Sequence, residues 1–237
     1  MIKLIDTYSN GQFEPSLWKS QGYSGVIFKG GQGGWADVPR VHPEWKEIAE
    51  SCGLLYGFYW VCDSRYKSSY HIDEMKKYNI FSDVGKLGLW VDVEKPVITM
   101  TEAEYWKSPY SGHKNLVDFV YQIRQNGVSP GIYTGPGAFD LVCRDAPKSA
   151  KDYLAECPLW TAQYPFVYVQ DVSKPTLYGS WTNWRYWQYR EGPDINIYNG
   201  TDAEFLKMVG GDVIPTKYEI NISSIVAKFS NGAEITL

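Results

Sequence analysis

Leu89-Trp90-Val91-Asp92-Val93-Glu94 is a short apolar run that ends in two carboxylates two positions apart. A continuous apolar run of this length reads as a strand of a parallel sheet covered on both faces. Side chains at i and i+2 share one face of a strand, so at roughly 3.3 Å per residue the Asp92 and Glu94 carboxyls fall within about 7 Å of each other. At that separation the charge on one governs the proton on the other. Working outward, β-rich runs recur at residues 3–7, 25–29, 57–61, 87–93, 131–134, 159–163, 185–189 and 195–198. Helical patterns lie between several of them. Leu116, Phe119, Val120 and Ile123 follow the i, i+3, i+4, i+7 spacing and are closed by Gly127. Residues 43–52 and 71–78 also read as helices. Thr201 with Glu204 makes a capping box for a helix over 202–209, which Gly210-Gly211 ends.

Strands alternating with helices imply an α/β fold with a parallel sheet. Eight strands in about 200 residues fit an irregular, TIM-like (β/α)8-type barrel over residues 1–211, with late connections too short and Gly/Pro-rich for full helices. Residues 212–237 change character: Tyr218, Ile220 and Ile222 alternate with polar residues, and Asn231-Gly232 signals a hairpin turn. That tail reads as a short β appendage, or as the start of a linker or second module.

The 237 residues are 21% charged and 44% hydrophobic, an ordinary globular composition. A net charge of -4 argues against nucleic acid or an acidic membrane as partner. No apolar run is long enough to span a bilayer, and Asp6 interrupts any N-terminal signal, so synthesis in the cytoplasm without a signal peptide is expected. Cys52, Cys62, Cys143 and Cys157 are too sparse for a disulfide scaffold and form no CxxC pair, and they read as reduced thiols. His42, His71 and His113 lack metal-ligand spacing, no G-x-S-x-G elbow is present, and no cofactor is implied. Gly30-Gly31-Gln32-Gly33-Gly34 lacks the features of a phosphate loop and reads as a flexible rim loop.

Barrel enzymes build their sites at the C-terminal ends of the strands. Here those ends are polar: Asp6, Lys29, Asp92 with Glu94, Tyr133, Gln163 and Gln188, while Asp194 precedes the last strand. Each acid alone has an ordinary alternative. Asp-x-Glu can hold a loop or a salt bridge, Asp6 can cap the turn at Ser9 and Asn10, and Asp194 can be a turn residue. Together, separated strand ends bring four carboxylates to one mouth, and such clustering of like charge is costly unless used. Paired carboxyls with split protonation suit glycosidic cleavage. Trp and Tyr faces suit the C–H faces of a sugar. Trp90 and Trp160 read as core. Trp60, Trp181 and Trp184, with Tyr59 and Tyr133, read as candidate sugar contacts beside Lys29, Gln163 and Gln188, and Trp35 and Trp187 also fall near strand ends or loops.

The ordered set Ile5-Asp6 with Ser9, Val26-Ile27-Phe28-Lys29, Gly57-Phe58-Tyr59, Trp90-Val91-Asp92-Val93-Glu94, Gly131-Ile132-Tyr133-Thr134, Leu159-Trp160-Thr161-Ala162-Gln163-Tyr164, Trp187-Gln188-Tyr189 and Asp194-Ile195-Asn196 resembles the lysozymes of glycoside hydrolase family 25. The resemblance covers residues 1 to about 210. It implies a flattened, irregular barrel whose acidic groove cuts the β-1,4 bond between N-acetylmuramic acid and N-acetylglucosamine with retention. By that likeness Glu94 is the general acid, Asp92 orients or stabilises, and Asp6 and Asp194 complete the groove. The implied partner is the peptidoglycan glycan strand, reached by a phage or prophage endolysin through a holin or lysis. The chain departs from the family pattern in three places: an extra residue between Asp6 and Ser9, Gln32 with its glycines where the family usually carries Thr-Glu-Gly, and Trp60 where it usually carries His. Two other readings stay open, a barrel glycosidase acting on chitin-like glycans and a catalytically silent carbohydrate-binding phage component.

Overall fold

The computed structural model describes residues 1–8, 13–33, 43–96, 98–165 and 174–210, with the backbone of two short strands nearer the C-terminus. The elements run β1 (Lys3–Thr7), α1 (Pro15–Ser20), β2 (Tyr23–Gln32), α2 (Pro43–Ser51), β3 (Leu55–Val61), α3 (Ser68–Lys77), β4 (Gly88–Val93), α4 (Glu102–Tyr105), α5 (His113–Gln125), β5 (Gly131–Thr134), α6 (Pro136–Cys143), α7 (Lys148–Ala155), β6 (Leu159–Ala162), β7 (Tyr186–Arg190), β8 (Ile195–Tyr198) and α8 (Asp202–Met208). In α5 the predicted stripe of Leu116, Phe119, Val120 and Ile123 is buried, as its period requires. The capping box that opens α8 forms as expected, with Thr201 accepting from the Glu204 backbone and the Glu204 carboxylate accepting from Thr201.

β1 to β8 close into a barrel in sequence order. β1 through β7 are mutually parallel, but β8 runs antiparallel to both β7 and β1. This corrects the all-parallel expectation, and the short β7–β8 connection explains it: a tight turn cannot return the chain to start a parallel strand, which needs a crossover. The reversal has a consequence for the site. Asp194 lies at the start of β8, and in an antiparallel strand the start stands at the same rim as the ends of the other seven.

Side-chain alternation divides the packing in two. Outward residues such as Val26, Phe28, Phe58, Val91 and Ile132 pack with the helices. Inward residues Leu4, Ile27, Trp90, Trp160 and Tyr186 fill the barrel, and Phe205 of α8 with Val209 just after it closes the lower end. One step further along the inward faces come Asp6, Lys29, Tyr59, Asp92, Tyr133 and Gln188, so an apolar floor supports a polar layer.

Gly30, Gly31 and Gln32 are buried within β2 rather than forming a flexible rim loop; Gly34 lies outside the described residues. Val226–Lys228 and Glu234–Thr236 pair as an antiparallel two-stranded sheet. The Asn231-Gly232 turn, the alternating residues before it, Ser9, Asn10 and Trp35 lie outside the described residues. Among the described residues all four cysteines are free, and no helix is long and apolar enough to cross a membrane.

Candidate active site

Asp6, on β1, is held by two other barrel strands, β7 and β8. Its Oδ1 accepts from Gln188 Nε2 at 2.9 Å and from Asn196 Nδ2 at 2.6 Å. Both amides are oriented from behind. The Trp160 indole N–H, which can only donate, gives its hydrogen to Asn196 Oδ1 at 2.7 Å and so turns the amide nitrogen toward Asp6. The phenols of Tyr133, at 2.8 Å, and Tyr164 both donate to Gln188 Oε1. A backbone bond of 3.3 Å from Asp6 N to Asp194 O ties β1 to the β7–β8 turn. Burial, and next the field of Asp194, push the Asp6 carboxyl up to about 8 despite these donors.

Asp92 stands on the inward face of β4, 1% exposed, and its Oδ1 has no hydrogen-bond partner among the described residues. Burial and then the neighbouring Glu94 raise its carboxyl well above the usual range, while Lys29 opposes them. Glu94 follows at the rim. Its side chain is open to solvent, yet its carboxyl is pushed up to about 7, first by the surrounding protein, with Lys29 opposing and Asp194 and Glu191 adding to the rise. Asp194 is also raised, by burial and by Glu191, against a hydrogen bond from the Gly192 backbone.

Tyr59 sits among these acids, its hydroxyl raised well above its ordinary value by burial and then by the charges of Asp92, Asp6, Glu94 and Asp194. Lys29 is the cation of the cluster. Burial lowers its ammonium, and the fields of Asp92, Glu94 and Asp63 oppose that shift. The structure therefore brings together Asp6, Lys29, Tyr59, Asp92, Glu94, Tyr133, Gln188 and Asp194. Among the described residues no cluster of His, Cys, Asp or Glu could hold a metal ion.

Four candidate sugar contacts fall elsewhere. Trp60 is 1% exposed on the outward face of β3, with its indole N–H donating to His71 Nδ1 at 3.2 Å. Parity explains it: Tyr59 faces in, so Trp60 faces the helices. Gln163 lies two positions after outward Thr161 and bonds Thr161 Oγ1 at 3.0 Å and the Thr176 backbone at 2.7 and 3.1 Å, so it fastens a loop. Trp181 is 6% exposed, donates to Cys157 O at 2.8 Å and packs edge-on against Phe139. It and Trp184 line a cavity of about 330 Å³ with Leu159 and Tyr198. Leu159 begins β6 and Tyr198 ends antiparallel β8, so that cavity is at the barrel end opposite the carboxylates. Asn196 and Tyr164 belong to the site although neither stands out by residue type. Asn196 had a sequence signal, because it is two residues past Asp194 on the same chain segment.

A model of the glycosyl hydrolases family 25 matches residues 5–196. Among solved structures, a family GH25 lysozyme from Aspergillus fumigatus is 23% identical, covering 88% of this chain and 98% of its own, with a TM-score of 0.66. The bacterial lysozyme from Streptomyces coelicolor is 19% identical over 88% of this chain and 96% of its own, with a TM-score of 0.64. The catalytic domain of endolysin ply40 from bacteriophage P40 of Listeria monocytogenes is 15% identical over 89% and 98%, with a TM-score of 0.56. At these identities the likeness to the three structures is one of fold. No match was found among curated protein sequences.

Proposed function

The chain belongs to the glycosyl hydrolases of family 25, and from that premise we propose that it is a lysozyme-type peptidoglycan hydrolase. It cleaves the β-1,4 bond between N-acetylmuramic acid and N-acetylglucosamine in bacterial cell walls with net retention. The observation that carries this reading is the placement of Glu94 at the rim, two positions beyond buried Asp92 at the end of β4, with Asp92 Oδ1 unpartnered among the described residues and the Glu94 carboxyl pushed up to about 7. A carboxylic acid that keeps its proton near neutrality can donate it to a leaving oxygen.

Asp92 and Glu94 interact strongly, so protons leave them as a pair. A hydrogen bond from the N–H of a bound acetamido group to the Asp92 carboxylate favours the anionic Asp92 and leaves the shared proton on Glu94. Glu94 then protonates the glycosidic oxygen as the C1–O bond breaks. The acetamido group, held through its N–H by Asp92, closes its oxygen on C1 from the opposite face. Water subsequently opens that ring at C1 while the Glu94 carboxylate takes its proton, and two inversions give retention. Substrate assistance of this kind is a recognised alternative to a carboxylate nucleophile. Asp194, and Glu94 once it has given up its proton, stabilise positive charge developing at the sugar ring, while Asp6 holds the Gln188 and Asn196 amides at the base of the groove.

The test is to digest purified peptidoglycan, reduce the new ends with borohydride and identify the reduced sugar. Muramic acid at the new ends is expected. Reduced glucosamine instead, or equal cleavage of a chitin oligosaccharide, overturns the reading of the bond.

A further inference from the structure

Gln32 and Trp60, two of the residues that set this chain apart in its sequence, meet in one buried cluster behind Lys29. Lys29 Nζ donates to Gln32 Oε1 at 3.1 Å, and Gln32 Nε2 donates to Asp63 Oδ2 at 2.9 Å. Asp63 is fully buried and takes three donors from Arg65: the backbone N at 3.1 Å, Nε at 2.9 Å and Nη2 at 2.5 Å. A carboxylate paired in this way only accepts, so the Gln32 amide must turn its nitrogen to Asp63 and its oxygen to Lys29. The Asp63 backbone is fixed as well. His71 Nδ1 accepts from the Trp60 indole, so its hydrogen is on Nε2, which donates to Asp63 O at 3.1 Å. A Cβ on Gly31 would meet the Trp60 ring at 2.5 Å and one on Gly33 the His71 ring at 2.3 Å. The strand closes on these rings only because both residues are glycine.

Lys29 Nζ has no carboxylate oxygen of a described residue within 4.0 Å. Yet Asp92 and Glu94 are near enough to act on it electrostatically, and Asp92 Oδ1 is unpartnered among the described residues. A free ammonium in that space would close on the carboxylates. We propose that Gln32 is a positioning residue: oriented by Asp63, it tethers the Lys29 ammonium short of contact with Asp92 and Glu94, leaving the Asp92 carboxylate without a cation against it and the proton on Glu94. This rests on the roles given to Asp92 and Glu94 above.

The charges that face this group come from several elements. Glu94 is faced by Lys29 on β2, Asp92 on β4, Asp6 on β1, and Asp194 and Glu191 from the β7–β8 turn, while Asp63 faces Lys29 from beyond β3. The experiment is the pH profile of kcat/KM on soluble peptidoglycan for the wild type, Gln32→Met, Lys29→Met and the double variant. Released from its tether, the ammonium pairs with the carboxylates. Gln32→Met therefore moves the alkaline limb, where Glu94 loses its proton, down by about one pH unit. Lys29→Met moves it up, and in that background Gln32→Met adds nothing. If Gln32→Met fails to fold, Gln32→Asn, too short to span Asp63 and Lys29, gives the same downward shift. An alkaline limb that stays or rises in the Met and Asn variants, or a downward shift that survives without Lys29, overturns the tether. If the wild type releases no reducing ends, the glycosidase reading fails. The tether is then judged by carbon NMR titration of Glu94, which titrates lower in Gln32→Met if the tether exists and unchanged if it does not.

Discussion

Asp6 keeps its proton to a pH at which a surface aspartate has long been ionised, and that has a cost in stability. An acid whose folded pKa is raised, here from 3.8 to about 8, contributes stability in full below its unfolded pKa and loses it as pH rises through the folded value. Glu94, raised from 4.5 to about 7, acts in the same direction. The window of loss therefore runs from about pH 4 to pH 8. Asp6→Asn retains the Oδ1 that accepts from Gln188 and Asn196 but cannot ionise. Its melting temperature should exceed that of the wild type by roughly 5 °C at pH 8 and match it near pH 4. Thermal scans at the two pH values check this, and a constant difference contradicts the assignment. At this scale the acids were legible in the sequence, because a carboxylate that terminates an apolar strand has few places to go in a barrel. The failures were aromatic and amide side chains. The parity that puts Trp60 and Gln163 outside was available from Tyr59 and Trp160. The folding of Trp181 under its own polar loop was not, because it depends on contacts with Cys157 and Phe139 far away in the chain.

Strand positions follow the sequence reading within a few residues, since continuous apolar runs and glycine or proline punctuation mark them directly. Strand direction does not. Nothing local to residues 195–198 distinguishes a parallel from an antiparallel strand, and only the short turn after Arg190 decides it. α8 is the element whose role the capping box located but did not explain. Its Phe205, 2% exposed, packs against Tyr198 at 5.2 Å and closes the barrel floor beneath the polar layer. Phe205→Ala should cost roughly 3–5 kcal/mol in denaturant unfolding. It should also reduce activity, because Phe205 shares its core cluster with Trp160, whose indole orients the Asn196 amide that holds Asp6. A loss below 1 kcal/mol would mean that α8 is not the floor.

For the molecule as a whole, one barrel holds every residue assigned to the chemistry, from Asp6 to Asn196, and the family model matches 5–196. We propose that residues 1–211 suffice for folding and hydrolysis. A chain ending at 211 should unfold in a single transition and release reducing ends at a rate within about threefold of the full chain; loss of the cooperative transition would make the tail part of the domain. The account as a whole depends on acids from opposite ends of the sequence acting on one sugar bond, with Glu94 as the proton donor. Its most direct test is the hydrolysis rate of Glu94→Gln on peptidoglycan, measured with wall binding on the same preparation. The account predicts unchanged binding and a rate lower by roughly 2 to 4 decades, whereas hydrolysis at the wild-type rate would contradict it.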